Sequence, residues 1–292
     1  MAEIDAIRLN FSPQNLWALN LSLGFIMFGV ALNLTVADFR RLLERPKPAV
    51  VGVISQFLVL PALTFGLVWV LQPAPSIALG MILVAACPGG NISNFMSLNA
   101  EGNTALSVTL TAVATVLAMV LTPVNLSLWG SLYAPASALL TTVDVPLGRV
   151  VQTVTLILGI PLVLGMSLRH WASEWAQWLS RGLQILSIAI FAGIVAVALY
   201  ANFAYLVGYL DVVFTLVLVH NGLALLAGHQ MAVWTNLSAP SRRTLALETG
   251  IQNSGLGLIL IFNFFDGLGG LALAAAGWGV WHIVSGLGLP FA

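Results

Sequence analysis

Leu245-Ala246-Leu247-Glu248-Thr249-Gly250-Ile251-Gln252-Asn253-Ser254-Gly255-Leu256-Gly257-Leu258-Ile259-Leu260-Ile261 is an apolar run interrupted midway by a carboxylate and a polar, glycine-rich stretch. Extended to Leu245–Phe265, it has the roughly 20-residue length that carries a helix across the hydrocarbon core. The whole chain reads the same way. Apolar residues make up 59% of its 292 residues and charged ones 7%, against about 25% charged in a soluble domain. Such a chain cannot present a water-facing surface, and nothing in it forms the basic patch that nucleic acid needs. No basic stretch preceding an apolar one marks a signal peptide, so the first apolar segment is expected to start insertion itself. The single cysteine, Cys87, excludes a disulfide framework.

Working outward from Leu245–Phe265, the breaks between charges, prolines and glycines delimit eight further segments. They are Asn15–Val36, Pro48–Leu71, Ile77–Asn99, Thr104–Leu128, Val150–Leu168, Leu183–Tyr200, Val207–Asn236 and Leu268–Leu289. The expected fold is therefore an all-α polytopic membrane protein of nine transmembrane helices. The linkers after the first, third, fifth and seventh segments hold Arg40, Arg41, Arg45, Lys47, Arg169, Arg181, Arg242 and Arg243, eight of the ten basic residues. Only Arg8 and Arg149 fall on the other side. The positive-inside rule then places residues 1–14 outside and the C-terminus in the cytoplasm. A plasma membrane is the expected location, the inner membrane if the cell is bacterial.

Nine of the ten acidic residues lie in linkers, termini or segment ends; Glu248 alone sits at membrane depth. An ionisable group there costs at least about 2.5 kcal/mol on the insertion scale and marks a functional site. No lysine or arginine lies within a membrane segment to pair with it. The third segment carries a second interruption, Cys87-Pro88-Gly89-Gly90-Asn91-Ile92-Ser93-Asn94. Backbone unwound at that depth is tolerated only where it is buried in protein or lines a watery cavity. One such break could be a simple kink. Two, five spans apart, lie on helices that cross the membrane in opposite directions, the pattern of an inverted repeat whose broken helices meet near the midplane. Segments 2–4 and 7–9 then correspond, segment 1 corresponds to segment 6, and segment 5 stands alone.

The C-terminal ends of half-helices and exposed carbonyls are partially negative, and with Glu248 they suit a small hard cation such as sodium. Ser107 and Thr111, four residues apart, present oxygens on one helix face. Gln56 is the only amide in its segment. Taken singly, the hydroxyls could bond back to their own helix and Gln56 could serve as interhelical glue. The opposed half-helix N-termini are partially positive and would receive a carboxylate.

These residues resemble the bile acid:sodium symporter family over nearly the whole chain. Cys87-Pro88-Gly89-Gly90 with Ser93-Asn94, and Glu248 with Gln252-Asn253-Ser254-Gly255, look like its two signature crossings. Gln56-Phe57, Gly102-Asn103, Ala105-Leu106-Ser107-Val108 and His220-Asn221-Gly222 extend the likeness. The resemblance implies a core domain (residues 48–128 and 207–290) and a panel domain (15–36 and 150–200) with a substrate cavity between them. It implies one sodium site from Ser93, Asn94, Ser107, Thr111 and Glu248. A second would use Gln56, Glu248, Gln252 and the backbone carbonyls of Thr249 and Ile251. Asn91, Ile92, Asn253, His282 and Ile283 would face the substrate.

The chain departs from the family twice. It matches bacterial-type members without the first of their ten helices. It also has Trp281-His282-Ile283 where the family's last helix reads Trp-His-Asn. The function so implied is symport of a small organic anion with two sodium ions by alternating access, with no other cofactor and no enzymatic activity, in a chain expected to be monomeric. Bile-acid-like, pantoate-like and keto acids all fit. A proton-coupled transporter or antiporter of the same crossed-helix build would want a second intramembrane acid or a basic partner. An intramembrane enzyme would want paired aspartates or a His-Glu-x-x-His motif. The sequence contains neither.

Overall fold

The protein was analysed as a computed structural model that describes residues 4–9, 13–44, 46–143 and 146–288. Arg45 of the first basic linker, Asp144, and residues 1–3, 10–12 and 289–290 of the expected terminal and core ranges lie outside the described residues. The described elements are helical throughout. In chain order they are α1 (Pro13–Ala31), α2 (Val36–Glu44), α3 (Pro46–Ile54), α4 (Leu60–Leu71), α5 (Pro75–Ala86), α6 (Ile92–Asn99), α7 (Thr104–Leu132) and α8 (Ala134–Val143). There follow α9 (Leu147–Val154), α10 (Ile160–Trp171), α11 (Ser173–Ala201), α12 (Phe203–Trp234), α13 (Ala239–Gly250), α14 (Ser254–Phe264) and α15 (Gly269–Gly288). A π turn at Ser55–Val59 joins α3 to α4, and another at Thr155–Gly159 joins α9 to α10.

Five continuous helices among the described residues are long and apolar enough to cross a membrane: Pro46–Leu71, Thr104–Leu132, Leu147–Trp171, Val207–Trp234 and Gly269–Gly288. They coincide with the second, fourth, fifth, seventh and ninth apolar segments. The third and eighth segments are too short to appear as single spans because each is split, into α5 and α6 and into α13 and α14. The fold is thus that of an all-helical, polytopic membrane protein.

Helix boundaries differ from the sequence reading where polar residues are helical. Val36–Glu44, expected as linker, forms α2, because Asp38 Oδ2 accepts hydrogen bonds from Thr35 N (2.9 Å) and Thr35 Oγ1 (2.7 Å) and so satisfies the helix start. The eighth segment begins at Ala239 rather than Leu245, with Pro240 in its first turn, where a missing N–H costs nothing. Arg243 Nη1 reaches the carbonyls of Ala100 (3.3 Å) and Glu101 (3.4 Å), which anchors that polar first turn to the α6–α7 turn.

Helix α5 is the axis of the packing. Every residue from Ser76 to Ala86 is buried, so it needs apolar or small side chains all round, and the sequence Ser-Ile-Ala-Leu-Gly-Met-Ile-Leu-Val-Ala-Ala supplies them. It packs most extensively on α15 and α7, while α1 packs on α10 and α11. The N-terminal residues do not trail into solvent. Ile4 is buried, Leu9 N donates to Gly267 O (2.9 Å) and Gly269 N donates to Ile7 O (2.9 Å), while Asp5 Oδ1 accepts from Ser76 N at the start of α5 (2.8 Å). A carboxylate on a helix N-terminus is worth roughly 1 kcal/mol. Asp5→Ala should therefore lower thermal stability by about that amount and leave the sodium concentration that half-stabilises the protein unchanged. A loss confined to sodium-bound protein would show that the N-terminal strap does more than cap α5.

Candidate functional site

Pro88 has no N–H to continue α5; the chain turns extended at Cys87, and α6 starts at Ile92 after a turn in which Ser93 N donates to Gly90 O (2.9 Å). The break after Gly250 lies against it. Gly89 and Gln252 pair in antiparallel fashion, Gly90 N donates to Ile251 O (2.7 Å), and Asn253 N donates to Pro88 O (2.8 Å). Each break therefore satisfies the other's backbone, which is how irregular chain survives at membrane depth. A Cβ on Gly89 would lie 3.0 Å from both Gln56 Nε2 and Glu248 Oε2 and would push these side chains back by a few tenths of an ångström. Asn253 Oδ1 accepts from Leu256 N (3.0 Å) and caps α14. At the end of α13 the carbonyl of Gly250 accepts from Asn221 Nδ2 (2.6 Å), whose Oδ1 accepts from Ser285 Oγ (2.6 Å).

Glu248 is fully buried beside this crossing. Its Oε1 accepts from Ser93 Oγ (2.5 Å), from Ser107 Oγ at short range and from Thr111 Oγ1 (3.3 Å). Thr111 Oγ1 also lies 3.2 Å from Oε2, and both Ser107 (2.9 Å) and Thr111 (3.3 Å) reach Asn94 Oδ1. All five residues expected at the first sodium site thus meet at one point. The hydroxyls of Ser93, Ser107 and Thr111 carry one hydrogen each. Six donor–acceptor contacts join them to Asn94 Oδ1 and the Glu248 carboxylate, so three hydrogens are shared among six approaches. The cluster is rich in lone pairs and poor in protons, and a cation is the partner that lone pairs lack.

The second set converges on the other side of Glu248. Gln56 Nε2 donates to Glu248 O (3.0 Å) and approaches Oε2 (3.5 Å), and Gln252 Nε2 donates to Thr249 O (2.7 Å). The other oxygen of each amide, Gln56 Oε1 and Gln252 Oε1, is buried with no hydrogen-bond partner. A buried carbonyl oxygen left alone costs roughly 1–3 kcal/mol. Two such oxygens, on residues whose nitrogens both bond to carbonyls of α13, are acceptors of the kind a hard cation takes. The carbonyls of Thr249 and Ile251 each accept one hydrogen bond, from Gln252 and from Gly90, and retain a second lone pair.

The residues expected to face a substrate do not form one group. Asn91 is half-buried, with Nδ2 3.5 Å from Met27 Sδ on α1, and Ile92 beside it is exposed. Asn253 is buried at the crossing. His282 is buried with Nδ1 unpartnered, on the α15 face where Gly279 meets Ser254 and Gly286 meets Ile251. Ile283 is exposed with Val280, Val284 and Leu287, on a different face of the same helix. Sequence reasoning missed the residues that hold the crossing in place. Ser55 Oγ bonds to Thr249 Oγ1 (2.9 Å), and Asn103 caps α7 through Leu106 N (3.1 Å) while its own N–H reaches Pro240 O (3.1 Å). Asn103 and Asn221 were legible only as parts of short polar motifs, without a role.

Two broken apolar helices meeting at a buried carboxylate define a secondary transporter by build. The chain matches the sodium bile acid symporter family over residues 20–209. It is 34% identical to the uncharacterized sodium-dependent transporter YocS of Bacillus subtilis over 264 residues, 90% of this chain and 79% of that protein. It is 32% identical to the probable sodium/metabolite cotransporter BASS1, chloroplastic, of Oryza sativa over 270 residues, and 32% identical to that of Arabidopsis thaliana over 240. These matches take in 91% and 82% of this chain but span only 64% and 57% of the chloroplast proteins. The chain belongs to the sodium bile acid symporter family, a family of transporters and not of enzymes.

Glu248 joins both oxygen clusters, so Glu248→Ala should abolish stabilisation by sodium in a thermal-shift titration while the protein still inserts. Retention of the wild-type sodium response would remove Glu248 from the cation sites. Gly89→Ala should weaken the sodium response, because the added methyl presses on Gln56 Nε2, Glu248 Oε2 and the Glu248 carbonyl. An unchanged response there would mean that the crossing need not be so tight.

Proposed function

We propose that the protein carries a small organic anion across the membrane together with two sodium ions. The observation that carries this reading is the pair of orphaned amide oxygens, Gln56 Oε1 and Gln252 Oε1, together with a buried carboxylate two of whose hydroxyl donors are shared with Asn94 Oδ1. Ser93, Asn94, Ser107, Thr111 and Glu248 hold one ion. Gln56, Gln252, Glu248 and the carbonyls of Thr249 and Ile251 hold the other. The names of the relatives, a sodium-dependent transporter and sodium/metabolite cotransporters, support the same coupling ion.

The charge balance favours an anion as cargo. Two sodium ions and one carboxylate leave a single positive charge in a low-dielectric site, which a monoanion neutralises. At an effective dielectric of 20, two ions about 8 Å apart repel by roughly 2 kcal/mol, and a carboxylate shared between them offsets that. The N-termini of α6 and α14, the positive ends of their helix dipoles, both start at the crossing, which favours an anion there. Asn91, Ile92, Asn253, His282 and Ile283 are the side chains assigned to the cargo. Bile-acid-like, pantoate-like and keto acids remain the candidate classes.

Nine transmembrane helices arranged as an inverted repeat divide into a core and a panel. Supporting this, α1 packs on α10 and α11, whereas α5, α7 and α12 to α15 gather round the crossing. Sodium at the crossing locks the two breaks together and favours the substrate-competent form of the core, which then moves against the panel. The N-terminus lies outside the plasma membrane and the C-terminus in the cytoplasm.

Uptake into proteoliposomes should require an inward sodium gradient, and potassium should not replace it. With two sodium ions per monoanion, each cycle carries one positive charge inward, worth about 2.3 kcal/mol per 100 mV. An inside-negative potential set with potassium and valinomycin should therefore accelerate uptake. Indifference to the potential would mean one sodium per monoanion or a dianionic cargo, and uptake driven by protons instead of sodium would overturn the reading.

A further inference from the structure

We propose that Asn125, outside both cation clusters, is a positioning residue that aims Gln56 into the second sodium site. The inference rests on the sodium-symport reading above. Pro61 supplies no N–H, so the carbonyl of Phe57, four residues earlier, loses its helical partner. The chain answers with the π turn Ser55–Val59, in which Leu60 N reaches back to Ser55 O. One extra residue accommodated in a helix rotates the side chains on one side of it by about 100° relative to those on the other. Gln56 lies inside that turn, so the turn decides where its amide points.

Phe57 is buried, and water cannot serve its free carbonyl. Asn125 Nδ2 does so from α7, at 3.0 Å. The orientation of that amide is itself fixed. Trp129, one turn further along α7, donates its indole N–H to Asn125 Oδ1 at 3.0 Å. An indole nitrogen can only donate, so the oxygen of Asn125 must face Trp129 and the nitrogen must face Phe57. Trp129, Asn125 and Phe57 O thus form a directed chain that ends on the π turn. Asn125 also stands fourteen residues beyond Thr111, close to four helical turns and on the same face of α7. One helix, with Pro123 inside it, therefore carries Ser107 and Thr111 of the first cluster and the brace for Gln56 of the second.

A residue that merely fills space would lower stability at every sodium concentration alike. A positioning residue must change the sodium dependence, and must do so through Gln56. The test is a sodium titration of uptake and of thermal stability for Asn125→Ala and Trp129→Phe, each alone and combined with Gln56→Ala. Asn125→Ala should raise the half-saturating sodium concentration roughly fivefold to tenfold, the worth of one lost hydrogen bond, and flatten the cooperative slope. Trp129→Phe frees the amide to turn and should shift the titration the same way by about twofold to threefold. Neither should add to the effect of Gln56→Ala. Should Asn125→Ala fail to fold, Trp129→Phe decides by the same criteria. A sodium-dependent wild type with unshifted variants, or shifts that multiply with that of Gln56→Ala, overturns the positioning role alone. A wild type without sodium dependence overturns it together with the symport reading.

Discussion

A carboxylate sealed inside the protein, with no lysine or arginine among its described partners, must find positive charge from outside the chain or surrender its own. Glu248 is fully buried, and the groups around it are arranged for the first outcome. Three hydroxyls share their hydrogens between its oxygens and Asn94 Oδ1, and the amide oxygens of Gln56 and Gln252 are buried without a partner. Burying oxygens in that state is costly in a medium that supplies no water. On the reading proposed above, a small hard cation offsets that cost.

The rest of the structure can be read as the means of holding such a site open without collapse. Each interruption frees backbone groups that a membrane will not satisfy, and each is met by a specific partner. The two breaks serve each other through Gly90, Ile251, Pro88 and Asn253. Asparagine side chains do the remainder: Asn221 on Gly250 O, Asn253 on Leu256 N, Asn103 on Leu106 N and Asn125 on Phe57 O. A short amide that both donates and accepts suits this task, because a broken helix exposes an N–H at one end and a carbonyl at the other. Gln56 and Gln252 differ from these asparagines in one respect. Each donates with its nitrogen to the backbone of α13 and leaves its oxygen uncommitted.

Much of this was legible in the sequence, for reasons that differ from element to element. The five long apolar helices announced themselves by length and hydropathy, and the two broken segments by polar, glycine-rich runs where lipid allows none. Charge singles out Glu248 and helical spacing Ser107 with Thr111, the family resemblance adds Ser93 and Asn94, and the five side chains do meet. What stayed hidden was structure that depends on partners far away in sequence. Helix α2 and the early start of α13 are polar, so hydropathy ran past them, although Thr35 with Asp38 and Pro240 are local start signals. The N-terminal strap needs Ser76 and Gly267, some seventy and two hundred and sixty residues away, to give Asp5 and Leu9 their roles. The brace at Phe57 requires knowing that its carbonyl sits opposite Asn125, which no periodicity reveals. Ile283 shows the limit in the other direction. A motif position assigned it to the cargo, whereas its exposed apolar neighbours Val280, Val284 and Leu287 leave the nature of its surroundings to be set by whatever faces α15.

The central claim is that the oxygens around Glu248 are sodium sites and that there are two of them. Equilibrium binding of radioactive sodium to the purified protein counts them directly. The account predicts two ions per chain, bound cooperatively and not displaced by a similar concentration of potassium. Saturation at a single ion, or equal displacement by potassium, would contradict it.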